Sequence, residues 1–268
     1  MKSIKTLVEE RRQKLEVYGR DWADKPNDML MWMMDAAQGE EQSIPNLSLE
    51  MLVLNFTAIH TSSTAFAHML YHLAAEPNHI KPLREEVESV IAADGWTKTS
   101  MGKMRKIDSF IRESQRLHGP GHTSMARLAI KPFTFSNGMT VPVGNLVACS
   151  SRGIHTDNTK YPNADVFDGF RFSKMRETEA TKYQMVSTNP EYLAFGHGKH
   201  ACPGRFFVAN ELKLMLAHII VSYDVTFEDG QGFPPDLVLD EANIPGKADV
   251  MVRRRQGWEK GMREKYSY

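Results

Sequence analysis

The sequence predicts a mainly α-helical protein with a small β part. Several segments repeat apolar side chains at helical spacing; in residues 79–93, for example, the apolar positions fall on one face of a helix. The β part is indicated by the pair Asn137-Gly138, because this dipeptide favours the tight turn of a β-hairpin. Phe133 and Phe135 alternate with polar residues before that turn, as expected of a strand.

The composition narrows the class of protein. The 268 residues include 33 basic and 33 acidic side chains, so no net field attracts nucleic acid, and no nucleic-acid partner is expected. Only two cysteines occur, Cys149 and Cys202, which argues against a disulfide framework. The apolar run 51–59 is interrupted by polar residues and falls well short of the roughly 20 residues that span a bilayer. No transmembrane segment is therefore expected in this chain.

A long helix is predicted over about residues 48–76. Ser48 can cap its N-terminus, Glu50 lies in its first turn, and Pro77 ends it. The segment is apolar on nearly every face, which predicts a buried helix. The run of polar residues 60–64 in its middle therefore needs a specific role.

Further elements follow from the same patterns. Residues 1–38 should be largely helical, one helix is predicted over about residues 108–118, and another over residues 205–221. Residues 157–190 are rich in turn formers and weakly periodic, and a stretch of this length suggests a segment that wraps over the core. Residues 250–252 have the pattern of a last short strand.

Cys202 lies in a glycine-rich turn, residues 195–204, directly before a predicted helix. The N-terminus of a helix has unpaired N–H groups and a partial positive charge, which favour a thiolate over a thiol. The glycines let backbone amides approach the sulfur and tune a metal–thiolate bond. Zinc is not expected at Cys202, because no second cysteine or histidine pair has the ligand spacing of a zinc site. The other interpretation is a buried structural cysteine.

The pattern Phe-x-x-Gly-x-x-x-Cys-x-Gly, formed by Phe195, Gly198, Cys202 and Gly204, resembles the haem-binding signature of the cytochrome P450 family. The resemblance implies a haem b cofactor whose iron is bound by the Cys202 thiolate, with Phe195, Gly198 and Gly204 as cofactor-binding residues of the turn. It also implies that residues 1–268 form a partial cytochrome P450 domain, the C-terminal portion of that fold.

Two further motifs stand in the order that the family has. Glu113 and Arg116 lie three residues apart, on one face of the helix predicted over residues 108–118. The later segment 167–172 contains Arg171 and resembles the family's second arginine element. The resemblance implies a buried Glu113–Arg116–Arg171 network with a structural role, which locks the turn-rich stretch against the helix. A surface salt bridge of little energetic value is the alternative.

The resemblance assigns two more positions near the cofactor. Arg127 precedes the predicted hairpin and His200 lies two residues before Cys202, and both match contacts to the haem propionates. Arginine can bind a carboxylate through two nitrogens, and histidine can donate a hydrogen bond to one. Either could instead be an ordinary surface residue. Residues 121–125 would line the substrate pocket.

The long helix contains a partial match, at residues 57–62, to the family's oxygen-activating motif. Ala58 keeps the small residue, and Thr61 keeps the hydroxyl that can hydrogen-bond reduced dioxygen. His60 replaces the family's acid, and a histidine can also relay protons near neutral pH. The resemblance implies catalytic roles for Thr61 and His60, as in fungal members that act on terpenoids. The alternative is a core histidine beside a threonine that bonds to its own helix backbone.

The function implied by the resemblance is haem-dependent monooxygenation. Such an enzyme reduces dioxygen and inserts one oxygen atom into a lipophilic molecule, such as a terpenoid or another secondary metabolite, with electrons from NADPH-cytochrome P450 reductase. Two alternatives stay open: a truncated, non-catalytic remnant, and a thiolate-haem isomerase or peroxide-using enzyme. Thr61 favours the monooxygenase over the second alternative. Cys149, in an apolar strand-like run, is expected to be inert core.

The resemblance maps onto the C-terminal half of a full-length family member. It implies that the full-length form lies at the cytosolic face of the endoplasmic reticulum membrane. The other half would cover one haem edge and most of the substrate. We therefore expect apolar side chains around Trp22, Trp32, Met34 and Phe56 to face solvent, and residues 1–268 alone to be incompetent as a monooxygenase.

Overall fold

The computed structural model describes residues 3–179 and 181–256. The helices are α1 (Ile4–Tyr18), α2 (Met29–Ala36), α3 (Ile44–Ala75), α4 (Ile80–Asp94), α5 (Lys98–Lys103), α6 (Arg105–Leu117), α7 (Ser151–His155), α8 (Arg171–Met175) and α9 (Arg205–Ser222). The strands are β1 (Thr123–Leu128), β2 (Phe133–Thr134), β3 (Thr140–Val141), β4 (Leu146–Ser150), β5 (Tyr223–Phe227), β6 (Leu237–Leu239), β7 (Ala242–Ile244) and β8 (Val250–Arg254). The predicted class, mainly α with a small β part, is confirmed. The chain divides into two compact units after Thr61.

The first unit has a small apolar core and a partly buried ion pair. Its core side chains are Val8, Leu30 and Leu47, from α1, α2 and the start of α3. Arg11 donates to both carboxylate oxygens of Asp28, over 2.7 and 2.6 Å. Asp28 also caps α2 with its side chain. The hydrogen bonds from Arg11 hold the pKa of Asp28 below its ordinary value.

Helix α3 starts earlier than predicted. It begins at Ile44, so Ser48 lies inside the helix and the predicted cap at Ser48 is wrong. The Ser43 hydroxyl accepts from the Asn46 N–H over 3.4 Å and takes that role. Pro45 is the physical reason, because its fixed φ suits the first turn and the N–H that it lacks has no helical partner there.

The predicted burial of α3 is correct for its second half only. Most residues from His68 to Ala74 are buried, whereas residues 52–61 are exposed. An apolar pattern on every face predicts a covered helix. No part of the described chain covers residues 52–61 to the extent that this pattern predicts.

The expected exposure of apolar side chains in the first unit is confirmed at two positions. Phe56 is 63 % exposed and Trp32 is 52 % exposed. Trp22 and Met34 are half-buried instead. None of the helices in the described ranges combines the length and apolar composition that a bilayer span requires.

The second unit is organised around α6. This helix is buried continuously from Ile107 to Leu117 and packs against α4, α8 and α9. The surrounding core side chains with no exposed surface are Met69, Leu73, Leu83, Val87, Ile91, Met104, Ile107, Phe110, Ile111, Met185, Leu212, Leu216, Ala217 and Val221. Glu113 and Arg116, the predicted motif on α6, are therefore removed from solvent.

The β part consists of antiparallel pairs: β1 with β4, β2 with β3, β5 with β8, and β6 with β7. The predicted hairpin is confirmed, because Thr134 pairs with Thr140 across the Asn137-Gly138 turn. Gly138 has a φ of 85°, in the left-handed region that glycine adopts without strain.

The described residues of the stretch 157–190, here called the meander, wrap around α6 as the pattern of this stretch predicted. Apart from α8, the described residues of the meander form turns and bends with little regular structure. The Ser109 hydroxyl accepts from the Ser173 N–H over 2.9 Å, and the Asp108 carboxylate accepts from the Met185 N–H over 2.8 Å. Helix α6 thus supplies polar partners to a segment whose turns leave backbone groups unpaired.

Candidate functional site

Glu113 is the centre of a buried ion network. Arg116 donates to both oxygens of its carboxylate, through Nε over 2.9 Å and through Nη2 over 2.8 Å. Arg171 donates through Nε over 3.0 Å to Glu113 Oε1, which also accepts from the Asp168 N–H over 3.1 Å. Glu113 and Arg116 have no exposed side-chain surface. The structure thus brings together the three residues of the expected network.

The two arginines of this network also bind carbonyl groups of the meander and its flank. Arg116 Nη1 donates to the carbonyls of His155 and Ala164, the latter over 2.7 Å. Arg171 donates to the carbonyl of Pro162 over 2.7 Å and to two neighbouring carbonyls. Because the turns of this segment leave carbonyls without internal partners, the guanidinium groups stabilise its path.

Asp108 is the centre of a second buried ion network, which sequence reasoning missed. Lys213 on α9 contacts one carboxylate oxygen, and Arg176 lies 3.3 Å from the other. Arg176 is 68 positions away in the chain, so no spacing rule could have identified the pair. This network joins α6, α9 and the meander.

The Cys202 turn is closed by backbone hydrogen bonds. The Cys202 N–H donates to the Phe195 carbonyl over 2.8 Å, and the Ala201 N–H donates to the Gly198 carbonyl over 3.1 Å. The Cys202 carbonyl accepts from the Arg205 side chain over 2.8 Å, directly at the start of α9. Cys202 is half-buried, which does not fit the alternative interpretation as a core cysteine.

The surroundings of the Cys202 sulfur fit a single-thiolate metal ligand. Gly196 and Gly198 have φ values of 65° and 75°, in the left-handed region. A Cβ atom on Gly204 would lie 3.8 Å from Cys202 Sγ, at ordinary contact distance, so Gly204 lies directly beside the sulfur. Within residues 3–179 and 181–256, Cys202 belongs to no group of three metal-ligating side chains, which disfavours a closed zinc site. The donor set therefore fits a thiolate that would bind a haem iron.

Strand β1 lies against the Cys202 turn. A Cβ atom on Gly196 would meet Met125 Cγ and Ser124 Oγ, both at 3.8 Å, and the Ser124 hydroxyl donates to the Leu193 carbonyl over 3.3 Å. Met125 has a φ of 57°, which residues other than glycine rarely adopt. Of residues 121–125, expected at the substrate pocket, Ser124 and Met125 therefore border the turn. Residues 121–124 line a cavity of about 150 Å³.

Arg127 and His200, the expected propionate contacts, are both exposed. Arg127 lies on β1 opposite Val147, and its Nη1 donates to the Ala126 carbonyl over 2.7 Å. His200 ends a short 3-10 turn, Gly198–His200, within the Cys202 turn. Both side chains are accessible to a carboxylate of a bound group.

Cys149 is not a core residue, so that expectation is wrong. It lies on β4 opposite Ser124 and is half-buried. The β1–β4 pair has only two strands, and burial alternates along β4 between half-buried and exposed positions. A sheet this small covers one face of each strand and leaves no fully enclosed position there.

Thr61 and His60 lie on the exposed part of α3. The Thr61 hydroxyl donates to the Thr57 carbonyl over 2.8 Å, which is the bond within the helix that the alternative interpretation expected. The His60 ring lies 4.3 Å from the Phe56 ring, measured between centroids. His60 is therefore not a core histidine, and the oxygen of Thr61 can still accept a hydrogen bond.

His155 is a buried residue that sequence reasoning missed. Its Nδ1 atom lies 3.0 Å from the Arg116 carbonyl oxygen, and its Nε2 atom accepts from the Leu193 N–H over 2.9 Å. Burial lowers the pKa of His155 to about 4, so the ring is neutral near pH 7 with its proton on Nδ1. His155 thus joins α6 to the segment that leads into the Cys202 turn.

Arg112 is a second missed residue and is fully buried. Its guanidinium carbon lies 3.6 Å from the centroid of the Tyr192 ring and 4.6 Å from that of Phe172. Its Nη1 donates to the carbonyls of Gln184 and Ser187, the latter over 2.9 Å. These cation–π contacts and hydrogen bonds hold the meander to α6 from another side.

Comparisons with known proteins agree with the geometry. The family profile described as "Cytochrome P450" matches residues 1–246. "Cytochrome P450 monooxygenase 151" of Postia placenta is 52 % identical over 255 residues, which cover 93 % of this chain and 51 % of that protein. "Ent-kaurene oxidase P450-4" of Gibberella fujikuroi is 40 % identical over 238 residues, which cover 87 % of this chain and 48 % of that protein. The chain spans about half the length of the curated relatives it matches.

Solved structures show the same fold. A crystal structure of a cytochrome P450, CYP102L1, matches with a TM-score of 0.71 at 23 % identity, over 94 % of this chain and 55 % of that one. Retinoic acid-bound cyanobacterial CYP120A1 matches with a TM-score of 0.72 at 24 % identity and the same coverage. Together with a family profile that matches most of the sequence, this fold shows that the chain belongs to the cytochrome P450 family.

Proposed function

We propose that this chain supplies the haem-binding and oxygen-activating elements of a haem-thiolate monooxygenase. The observation that carries the proposal is the Cys202 turn: a half-buried thiol, held by backbone hydrogen bonds directly before α9, with Gly204 beside its sulfur. Family membership supports the same chemistry. The reaction would insert one atom of dioxygen into a lipophilic substrate and reduce the other to water.

Haem b, when bound, would supply the redox and oxygen chemistry. Cys202 would bind its iron through the thiolate, and nearby backbone N–H groups would tune that bond. Arg127 and His200, whose side chains are exposed, would bind the propionates. The turn around the sulfur would be shaped by Phe195, Gly198 and Gly204.

The network of Glu113, Arg116 and Arg171 would have a positioning role. Its arginines donate hydrogen bonds to backbone carbonyls of the meander. The network therefore contacts this segment and not an open site. His155 continues the connection, since it bonds to the Arg116 carbonyl and to the Leu193 N–H just before the Cys202 turn. The network would therefore fix the position and orientation of the Cys202 turn.

Thr61 and His60 would handle protons on the oxygen-binding side. The Thr61 hydroxyl donates its hydrogen bond to the Thr57 carbonyl, so its oxygen would be left to accept a hydrogen bond from a water or from the substrate side of the site. The His60 ring is exposed and therefore open to solvent. Together the two side chains would connect the oxygen-binding side to solvent protons.

The proposed substrate is a lipophilic molecule of the terpenoid class. Two of the fungal relatives are named ent-kaurene oxidases, which supports an apolar hydrocarbon skeleton. Dioxygen would be the second substrate, and NADPH-cytochrome P450 reductase would supply the electrons. The intact enzyme would work at the cytosolic face of the endoplasmic reticulum membrane.

The experiment that tests the proposal is a spectrum of the reduced, carbon monoxide-bound intact enzyme. We expect the red-shifted Soret band of thiolate ligation. Cys202→Ala should abolish this band, and Cys149→Ala is the matched control that should keep it. A band that persisted in Cys202→Ala would contradict the assignment.

The exposed part of α3 favours a second candidate function for residues 1–268 expressed by themselves. With Phe56 and its neighbours open to solvent, water would reach the oxygen-binding side, and the chain would bind haem weakly or associate with another protein. The test is an assay of this chain with reductase and NADPH. We expect substoichiometric haem and peroxide without product. Stoichiometric haem with coupled product formation would refute this candidate.

A further inference from the structure

Two histidines and an aspartate form a cluster that the proposed function does not use. His68 Nε2 lies 2.9 Å from Asp236 Oδ1, and His118 Nδ1 lies 2.7 Å from Asp236 Oδ2. The two nitrogens and a carboxylate oxygen all lie within 4.8 Å of one another. His68 is fully buried, whereas His118 and Asp236 are slightly exposed, so a small ion can reach the cluster from solvent.

We propose that His68, His118 and Asp236 bind a divalent transition-metal ion, with Zn²⁺ as the best-fitting one. Imidazole nitrogens and a carboxylate oxygen are ligands that zinc prefers, and ligand atoms in a tetrahedral zinc site lie about 3.3 Å apart. The two close pairs, at 2.9 and 2.7 Å, need to open only slightly to admit the ion. Mg²⁺ and Ca²⁺ prefer six or more oxygen ligands, so two imidazoles disfavour them.

An unpartnered polar atom beside the cluster supports a bound ion independently. Asn243 is only 3 % exposed; its Nδ2 donates to Asp236 Oδ2 over 2.8 Å, and its Oδ1 has no hydrogen-bond partner in the described part of the chain. Buried polar atoms are normally hydrogen-bonded. A metal ion with Asn243 as its fourth ligand would give this oxygen a partner.

The hydrogen bonds of the cluster already direct its ligand atoms towards one another. His68 Nε2 and His118 Nδ1 both face the Asp236 carboxylate. Metal ions bind neutral imidazole and ionised carboxylate, so each ring that coordinates an ion would carry its proton on the other nitrogen.

The ion would act as a structural clip. His68 is on α3, His118 follows α6, and Asp236 precedes the β6–β7 hairpin; His68 and Asp236 are 168 positions apart in the chain. The strands of that hairpin have three residues each, and an isolated hairpin of this size is marginally stable. Coordination would fasten the hairpin to the two helices.

The test is a titration of Zn²⁺ into the tag-free chain, followed by isothermal titration calorimetry and by thermal unfolding. We expect one zinc ion per chain and a higher Tm with zinc, because a ligand of the folded state stabilises it. Asp236→Asn and His118→Gln should each weaken binding by about tenfold or more and remove the rise in Tm. Mg²⁺ should produce neither effect.

The matched control is His79→Gln, since His79 is also buried but lies next to a single carboxylate, that of Glu76 at 3.4 Å. Cys202→Ala is a second control, for binding through a thiol. Both should bind zinc as the wild type does. Far-ultraviolet circular dichroism shows whether Asp236→Asn and His118→Gln are folded. One folded variant of the two is enough for the comparison of zinc affinity with the wild type.

Two results would overturn the proposal: no stoichiometric zinc binding by the wild type, or wild-type affinity in a folded ligand variant. Neither measurement uses haem or turnover. Failure of the zinc site would therefore be distinguishable from failure of the monooxygenase proposal.

Discussion

The Glu113 carboxylate and the Arg116 guanidinium form a two-point ion pair from which solvent is excluded completely. The pair sits inside α6, three residues apart, and its remaining hydrogen-bonding capacity goes to Arg171 and to backbone groups of the meander. A buried charge is tolerable only while its partner is present. The pair is therefore a structural requirement of this fold.

Removing one partner of this pair should unfold the meander. We expect Arg116→Ala to lower the free energy of unfolding by about 3–5 kcal/mol, because the Glu113 charge is left buried without its partner. Denaturant unfolding measures the change, and the yield of folded haem protein should fall with it. Lys103→Ala, which removes an ion pair at the surface, is the control and should leave the midpoint unchanged. Well-folded Arg116→Ala protein with full haem content would refute the buried-network interpretation.

Acid should destabilise the protein through His155. Its pKa in the folded state is about 4, against an ordinary value of 6.5, because burial disfavours the charged ring. Between these two values the unfolded state binds more protons, so stability is greatest above pH 6.5 and falls as the pH drops towards 4. The total loss attributable to this one group is about 3 kcal/mol.

The measurement is the free energy of unfolding as a function of pH in the wild type and in His155→Gln. His72 and His118 also have lowered pKa values and act in the same direction, so the wild-type slope contains all three contributions. His155→Gln should be less stable near pH 7 and should show a shallower slope between pH 4 and 6.5. Identical slopes in the two proteins would show that His155 does not carry this dependence.

Gly169 should tolerate no side chain. A Cβ atom there would lie 2.7 Å from Phe110 Cδ2 and 2.9 Å from His79 Cδ2, and both rings are buried. We expect Gly169→Ala to destabilise the protein by about 1–3 kcal/mol through overpacking. Gly102→Ala is the matched control: it lies in α5 with open space around it, and alanine should stabilise that helix by about 0.5–1 kcal/mol. Equal effects of the two changes on Tm would contradict the close packing of Gly169 against Phe110 and His79.

Thr61→Ala should uncouple reduction from product formation in the intact enzyme, if the proposed function is correct. The hydroxyl whose oxygen would position the reacting species is lost, so NADPH consumption should continue while peroxide release rises. Haem content should stay normal. Thr61→Ser keeps the hydroxyl and should restore coupling. An unchanged ratio of product to NADPH consumed in Thr61→Ala would place Thr61 outside the oxygen-binding pocket.

Features specified by local spacing were predictable from the sequence. The i,i+3 pair of Glu113 and Arg116 and the Asn137-Gly138 hairpin depend on residues close together in the chain, and the structure has both. The error at the start of α3 has a local cause too, because Pro45 marks the first turn and the capping hydroxyl is that of Ser43. Patterns of this kind need no knowledge of the tertiary fold.

Features made by distant contacts were not predictable. His155 meets the Leu193 N–H from 38 positions away, and His68 meets Asp236 from 168 positions away. An isolated histidine in a sequence has no periodicity that identifies its partner. The predicted burial of α3 is wrong for residues 52–61 for a related reason. An apolar pattern predicts that a helix is covered by other parts of the protein, but it does not identify the segment that covers it.

The connections of Arg116 also imply an order of assembly. Its bond to Glu113 spans three positions and can form as soon as α6 is helical, whereas its bond to the Ala164 carbonyl spans 48 positions and the Arg171 bond to Glu113 spans 58. Closing longer loops costs more entropy and takes place later. We therefore expect the meander to dock onto a helix whose charged pair already exists, and to be among the first segments to detach. A protease acting on partly opened molecules should cut within residues 156–170 while α6 is still intact.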